Sequence, residues 1–236
     1  MLDFDFEPEL PQWAKNLAVF DLETTGLDVR EARIVTATVA TINQNGELDS
    51  LREWLVNPGI EIPQVAADVH GVTTEMAVRD GMEPAQAVAE IVALLSEHNL
   101  SMPLVAFNAP YDFSILKAEA LRYQLAHLEP KPVIDPLVID KQVDRYRKGK
   151  RNLGVMSEHY GIKLDDAHNS TADAVAAGRI AQALARKYAE LAIDAAELHD
   201  KQSVWSDEQS ESFAQYLRKQ NRPEYRAELG WPIKAI

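Results

Sequence analysis

The spacing of apolar residues changes character several times along this chain. Residues 17–20 (LAVF) form a short continuous apolar run, residues 33–42 (RIVTATVATI) are dense in β-branched side chains, and residues 48–56 give a third segment of strand character. Asn45-Gly46 lies between the second and third, and both residues tolerate the positive φ of a tight hairpin turn. Three antiparallel strands are therefore expected first. The period then lengthens: Val88, Ile91, Val92 and Leu95 fall on one side of a helix predicted over 84–97. A short apolar run at 104–107 reads as a strand, Pro110 opens a helix at its favoured first position, and Val133-Ile134 supplies a last strand. From about 170 to 191 the chain is Ala-rich, with Ile180, Leu184, Tyr188 and Leu191 in a helical stripe.

Three strands followed by strands alternating with helices predict an α/β architecture, a mixed sheet covered by helices. The pattern divides the chain into an N-terminal extension (1–16), a main domain (17–191) and a C-terminal helix with an extended tail (192–236). In that last segment Ser206 and Gln209 resemble a capping box, and Phe213, Tyr216 and Leu217 have helical spacing, so a helix ending near Gln220 is expected. Pro223, Trp231 and Pro232 then mark extended chain, expected to dock on the main domain in preference to waiting for a partner.

At 236 residues and 46% hydrophobic, the chain has material for one substantial core. No apolar run approaches the ~20 residues that span a bilayer, so a soluble, cytoplasmic protein is expected. Zero cysteines exclude disulfides, thiolate zinc sites and a thiol nucleophile, so any metal must be held by oxygen or imidazole. A net charge of −13 argues against a broadly basic nucleic-acid face, yet residues 145–151 carry five basic side chains in seven, a local patch that suits either solvent or a phosphate backbone.

The chemistry lies in carboxylates that approach the interior. In a strand, residues two apart share a face, so Asp21 and Glu23 continue the row of Leu17 and Val19. Asp112 comes one turn before Ile115 and Leu116, and Asp173 one turn before Ala177, so both flank apolar helical faces. Unpaired charges there are costly, and a divalent cation such as Mg²⁺ or Mn²⁺ is the economical explanation. Two such ions could activate an attacking oxygen and stabilise a leaving one. His168, five residues before Asp173, has the chemistry to take a proton from water near neutral pH.

Together, "FDLETTG" with Asp21 and Glu23, "NAPYD" with Asp112, and "HNSTAD" with His168 and Asp173 resemble the three motifs of the DEDDh exonucleases, the superfamily of the proofreading epsilon subunit of bacterial DNA polymerase III, ribonuclease T and oligoribonuclease. The resemblance covers about residues 17–191 and implies a ribonuclease H-like fold, a five-stranded mixed β-sheet flanked by helices. It implies metal-dependent 3′-5′ release of nucleoside 5′-monophosphates, with Asp21, Glu23, Asp112 and Asp173 binding two divalent cations and His168 deprotonating the attacking water. Substrate contacts are expected from Thr24, Thr25, Gly26 and Leu27, from His70 in "DVHGVT", and from Asn108 and Tyr111 of the second motif. The substrate is expected to be the 3′ end of DNA more than of RNA. A polymerase subunit held through the tail is a further expected partner. An RNA-trimming enzyme of the same chemistry and a non-catalytic polymerase-binding module are the alternatives. His98, His127, His159 and His199 lack carboxylate company and are expected to be structural.

Overall fold

The computed structural model describes residues 9–163 and 169–234. Three strands, β1 (Leu17–Thr24), β2 (Ile34–Ile42) and β3 (Leu48–Leu55), are followed by the helices α1 (Gln64–His70), α2 (Thr74–Asp80) and α3 (Pro84–Asn99). Then come β4 (Leu104–Val105), α4 (Pro110–Arg122), β5 (Val133–Ile134), α5 (Pro136–Val143), α6 (Leu153–His159), α7 (Ser170–Lys187) and α8 (Ala195–Lys219). The strands form one mixed sheet in the order β3-β2-β1-β4-β5. The β1-β2 and β2-β3 pairs are antiparallel, whereas β1-β4 and β4-β5 are parallel. This is the five-stranded mixed sheet expected from the motifs.

Because β1 is central, both of its faces are covered. Ala18, Phe20 and Leu22 pack into a core under α3 and α4, while Leu17 and Val19 pack on the other side against α7. Phe113 seats α4 on the sheet, its ring 5.4 Å from that of Phe20. On the opposite face α7 comes close enough that a Cβ on Gly178 would lie 2.6 Å from side-chain carbons of both Ile42 and Val19. These two seatings matter because α4 and α7 carry Asp112 and Asp173.

Four helices were not expected. α1, α2, α5 and α6 are seven or eight residues long, too short for a 3.6-residue stripe to repeat convincingly. α8 is also longer than its capping signal suggested. It starts at Ala195, where Asp194 accepts the Ala196 N–H at 2.8 Å, well ahead of Ser206. The cause is that its buried positions include His199 and Gln202, polar side chains that interrupt an apolar stripe.

The C-terminal segment is built into the fold. Trp231 is buried in the α3/α4 core, and Leu198 of α8 in the α7 core. Gln202 donates to the Val133 carbonyl at 3.0 Å and accepts from the Asp135 N–H at 2.7 Å, and His199 Nδ1 accepts from the Val133 N–H at 3.0 Å. Among the described residues no helix is long and apolar enough to cross a membrane.

Candidate active site

β1 ends with a register irregularity between Glu23 and Thr24, beside its partner β2. Such bulges re-aim side chains where a ladder stops. Asp21 and Glu23 lie in the last part of β1, continuing the row of Leu17 and Val19 to where α7 begins. The start of α7 is tied to the sheet here. The Asn169 side chain caps it by accepting the N–H groups of Thr171 and Ala172. The hydroxyls of Ser170 and Thr171 lie 2.8 Å and 3.0 Å from that of Thr38, the residue paired across from Asp21. One turn of helix then presents Asp173 to the strand carboxylates, and one oxygen from each of Asp21, Glu23 and Asp173 lies within 4.8 Å of the others.

Asp112 approaches from the other helix. It is 2% exposed in the first turn of α4, and its Oδ1 accepts the Leu22 N–H at 3.1 Å. It therefore stands beside the three clustered carboxylates without being one of them, coupled to Asp21 by charge. Burial pushes Asp21 well above the usual carboxylate range, and the charges of Asp112, Glu23 and Asp173 push it further. Burial and then the Asp173 charge raise Glu23 to about 7. Burial likewise raises Asp112, opposed by the N–H it accepts. Crowded, partly desolvated and all-oxygen, this donor set fits a hard divalent cation, whose charge would offset the repulsion. His168 lies outside the described residues.

Around this cluster, the side chains expected to meet substrate divide into two groups. Thr24 and Thr25 are buried: Thr25 Oγ1 accepts the Arg33 N–H at 3.0 Å, and Thr24 Oγ1 donates to the Gly26 carbonyl at 2.9 Å. The Tyr111 hydroxyl donates to the same carbonyl at 2.8 Å and lies 2.5 Å from the Thr24 hydroxyl, so it fixes the loop after β1. Leu27, by contrast, is 87% exposed at the tip of that loop, and Asn108 is exposed with φ 63°. His70 ends α1 half-buried, its Nδ1 accepting from the Val72 N–H at 3.2 Å. Burial lowers its pKa, favouring neutral imidazole.

Asp135 is the supporting residue that the sequence did not single out. Fully buried, it accepts from the N–H groups of Asn108, Ala109 and Leu137 at 3.1, 3.0 and 3.0 Å, and from the Trp231 indole at 3.3 Å. It thus holds the left-handed turn that launches α4 and Asp112. The only sequence signal was an Asp before a proline, ordinarily read as a helix cap.

An α/β sheet whose central strand ends in clustered carboxylates, with a second helix bringing a further one, defines a metal-dependent hydrolase type of site. The exonuclease family model of the RNase T type matches residues 18–181, and the chain belongs to this family, the DEDDh exonucleases. Among curated relatives it is similar to the PolC-type DNA polymerase III of Streptococcus thermophilus, 27% identical over 163 residues that make up 69% of this chain and 10% of that protein. The corresponding polymerase of Streptococcus pneumoniae is 26% identical over 175 residues, 74% of this chain and 11% of that one. The chain thus spans about a tenth of the length of these relatives. Its fold resembles the nuclease domain of 3′hExo, a DEDDh family member, bound to rAMP (TM-score 0.61, 16% identity, 73% of this chain and 92% of that one). It also resembles E. coli Exonuclease I in complex with a dA16 oligonucleotide (TM-score 0.62, 16% identity, 75% and 42%), and Exonuclease X with 5′ overhanging duplex DNA (TM-score 0.58, 16% identity, 78% and 99%).

The raised carboxylates make a pH prediction. In the metal-free fold Glu23 keeps its proton up to about 7, whereas the unfolded chain releases it near 4.5. Between those values the native state binds more protons, so the stability of the metal-free protein falls as pH rises through this window. A displacement of that size is worth roughly 3 kcal/mol. Divalent cations replace the proton and cancel the loss. The melting temperature in chelator should drop from pH 5.5 to pH 8, and the drop should shrink in Mn²⁺ or Mg²⁺. Identical pH slopes with and without the cation would contradict this account of the cluster.

Proposed function

We propose that this chain hydrolyses the terminal phosphodiester at the 3′ ends of DNA strands, single-stranded or frayed, and releases nucleoside 5′-monophosphates one at a time. The observation that carries the reading is the convergence of Asp21, Glu23 and Asp173 within 4.8 Å, with Asp112 alongside. These four would hold two divalent cations, Mg²⁺ or Mn²⁺, which supply water activation and stabilisation of the departing oxygen. In the reaction, a water oxygen bonds to the phosphorus of the last nucleotide, the bond from that phosphorus to the preceding 3′ oxygen breaks, and this oxygen takes up a proton. His168 is assigned the water's proton by the spacing of the third motif.

The remaining residues position the strand end. Leu27 at the loop tip and Asn108 at the start of α4 would touch the terminal nucleotide, while Thr24 and Tyr111 hold the loop after β1. DNA is favoured over RNA because the curated relatives are DNA polymerases. The RNA alternative draws support from the bound rAMP of 3′hExo. That similarity to polymerases also supports, as a proposal, a polymerase partner. Because Trp231 is buried, such a partner would meet the exposed side of α8.

The test is a time course on 5′-labelled single-stranded DNA and RNA of matched sequence, in Mg²⁺, Mn²⁺ or chelator. A ladder shortening by single nucleotides, lost in chelator and faster on DNA, is expected. Cleavage that persists in chelator, or products from internal positions, would overturn the assignment; faster decay of RNA would replace the substrate.

A further inference from the structure

A cavity of about 800 Å³ lies between α5 and the second half of α8, within the roughly 300–1,000 Å³ typical of ligand sites. Asn108 and Pro110, at the start of the helix that carries Asp112, are among its lining residues, so it borders the second motif. Three features of its walls have no role in the core. The basic run at 145–151 divides here: Arg147 and Arg151 turn inward and pair with the buried Asp140 carboxylate, whereas Arg145 stays exposed, bonded to the Gln142 side chain at 3.4 Å. Lys141 forms no hydrogen bond or ion pair among the described residues. It is accessible to solvent, yet the protein around it is dense enough to lower its pKa, as expected for an ammonium on a groove wall.

The third feature is aromatic. Phe213 and Tyr216 project from α8 with 54% and 57% of their surface exposed, and Tyr225 meets Phe213 edge-on at 6.0 Å. Glu208 and Glu228 also border the cavity, but Glu228 is neutralised by Lys234 at 2.5 Å. Asp135, which the Lys141 ammonium feels along with Asp140, lines the cavity too, but it is fully buried and bonded to backbone N–H groups. In a chain of net charge −13, cations held in no ion pair beside exposed rings match a polyanion that carries flat bases.

We infer that the groove between α5 and α8 binds the single strand upstream of the 3′ terminus, with Lys141 and Arg145 meeting backbone phosphates and Phe213 and Tyr216 stacking on bases. The inference rests on the exonuclease reading above. It extends it to residues beyond 181, outside the matched family region. Arg145, Phe213 and Tyr216 are exposed, so their substitution leaves the core intact.

The experiment compares wild type with Lys141→Gln/Arg145→Gln and Phe213→Ala/Tyr216→Ala in the full chain. It measures kcat/KM on a single strand of about twelve nucleotides and on a dinucleotide, a length range that spans known single-strand sites. It also measures binding of the longer strand in chelator by fluorescence anisotropy. Each double variant should lose at least about fivefold more on the long substrate than on the dinucleotide. The cationic pair should also make the salt dependence of binding shallower by about 1.4 in slope, roughly 0.7 for each phosphate contact. Equal losses on the two substrates, or none, would overturn the groove, and the second result would point to a protein segment as its occupant. If the wild type cleaves neither substrate but binds the long strand, and the variants bind it about tenfold more weakly, the groove stands and the exonuclease reading falls.

Discussion

Asp21→Asn is expected to lower hydrolysis at least ~10³-fold while raising the melting temperature of the metal-free protein. The first effect follows from its position on the central strand among the clustered carboxylates. Losing even one neutral donor to a transition-state charge costs ~10²–10³ in rate, and a metal ligand contributes more. The second follows from the direction of the Asp21 shift: burial and three neighbouring carboxylates all disfavour its charge. Asparagine keeps the shape and removes that charge. About 1 kcal/mol moves the melting temperature of a chain this size by ~2–4 °C, so the gain should be visible in chelator at pH 8. The cation-induced rise in melting temperature should shrink in the same variant. Retained activity, or a lower melting temperature in chelator, would rule out Asp21 as a ligand held at the expense of stability.

The second large effect is expected at Asp135, a positioning residue. Asp135→Ala strips the acceptor from three backbone N–H groups and the Trp231 indole at once. Leaving a buried donor without its acceptor costs ~1–3 kcal/mol, so a loss of several kcal/mol is expected. Asp135→Asn retains the volume and one acceptor oxygen, and Trp231→Phe removes a single donor, with an expected cost of about 1 kcal/mol. Because Asp135 holds the Asn108–Ala109 turn ahead of Asp112, Asp135→Asn should also raise the cation concentration for half-maximal activity and lower kcat/KM ~10–100-fold, as residues supporting metal ligands do. Urea denaturation paired with a cation titration separates the effects. A variant destabilised but unchanged in its cation requirement would confine Asp135 to stability.

The same network shows why the C-terminal segment was difficult to read. As sequence, Trp231 and its neighbouring prolines marked extended chain expected to dock on the main domain, with no signal for where, and the polar interruptions His199 and Gln202 hid the first half of α8. In the structure these residues are the attachment: Gln202 and His199 bond the β5 backbone, and Trp231 bonds Asp135. Removing residues 195–236 would therefore expose the support of the second motif, so the segment cannot be treated as separable from hydrolysis. The basic run at 145–151 is a similar case. Nothing in its composition distinguishes Arg145 from Arg147 and Arg151, but Asp140 pairs with the latter two.

The sequence by itself determined the strand order of the first hairpin, the helices bearing Asp112 and Asp173, and the carboxylates of the site. Their signals are local: a period of two or 3.6, a turn dipeptide, a proline at a helix start, or motif residues a few positions apart. Only the tertiary structure decided that Asp112 bonds the Leu22 amide beside the cluster, that Asp135 supports the turn before it, and that Lys141 lines the same cavity as the aromatic rings of α8. The partners of Asp135 alone lie 27, 67 and 96 residues away along the chain. Whether a polar group is buried, and what satisfies it, depends on segments that meet only after folding, so no window of sequence contains the answer.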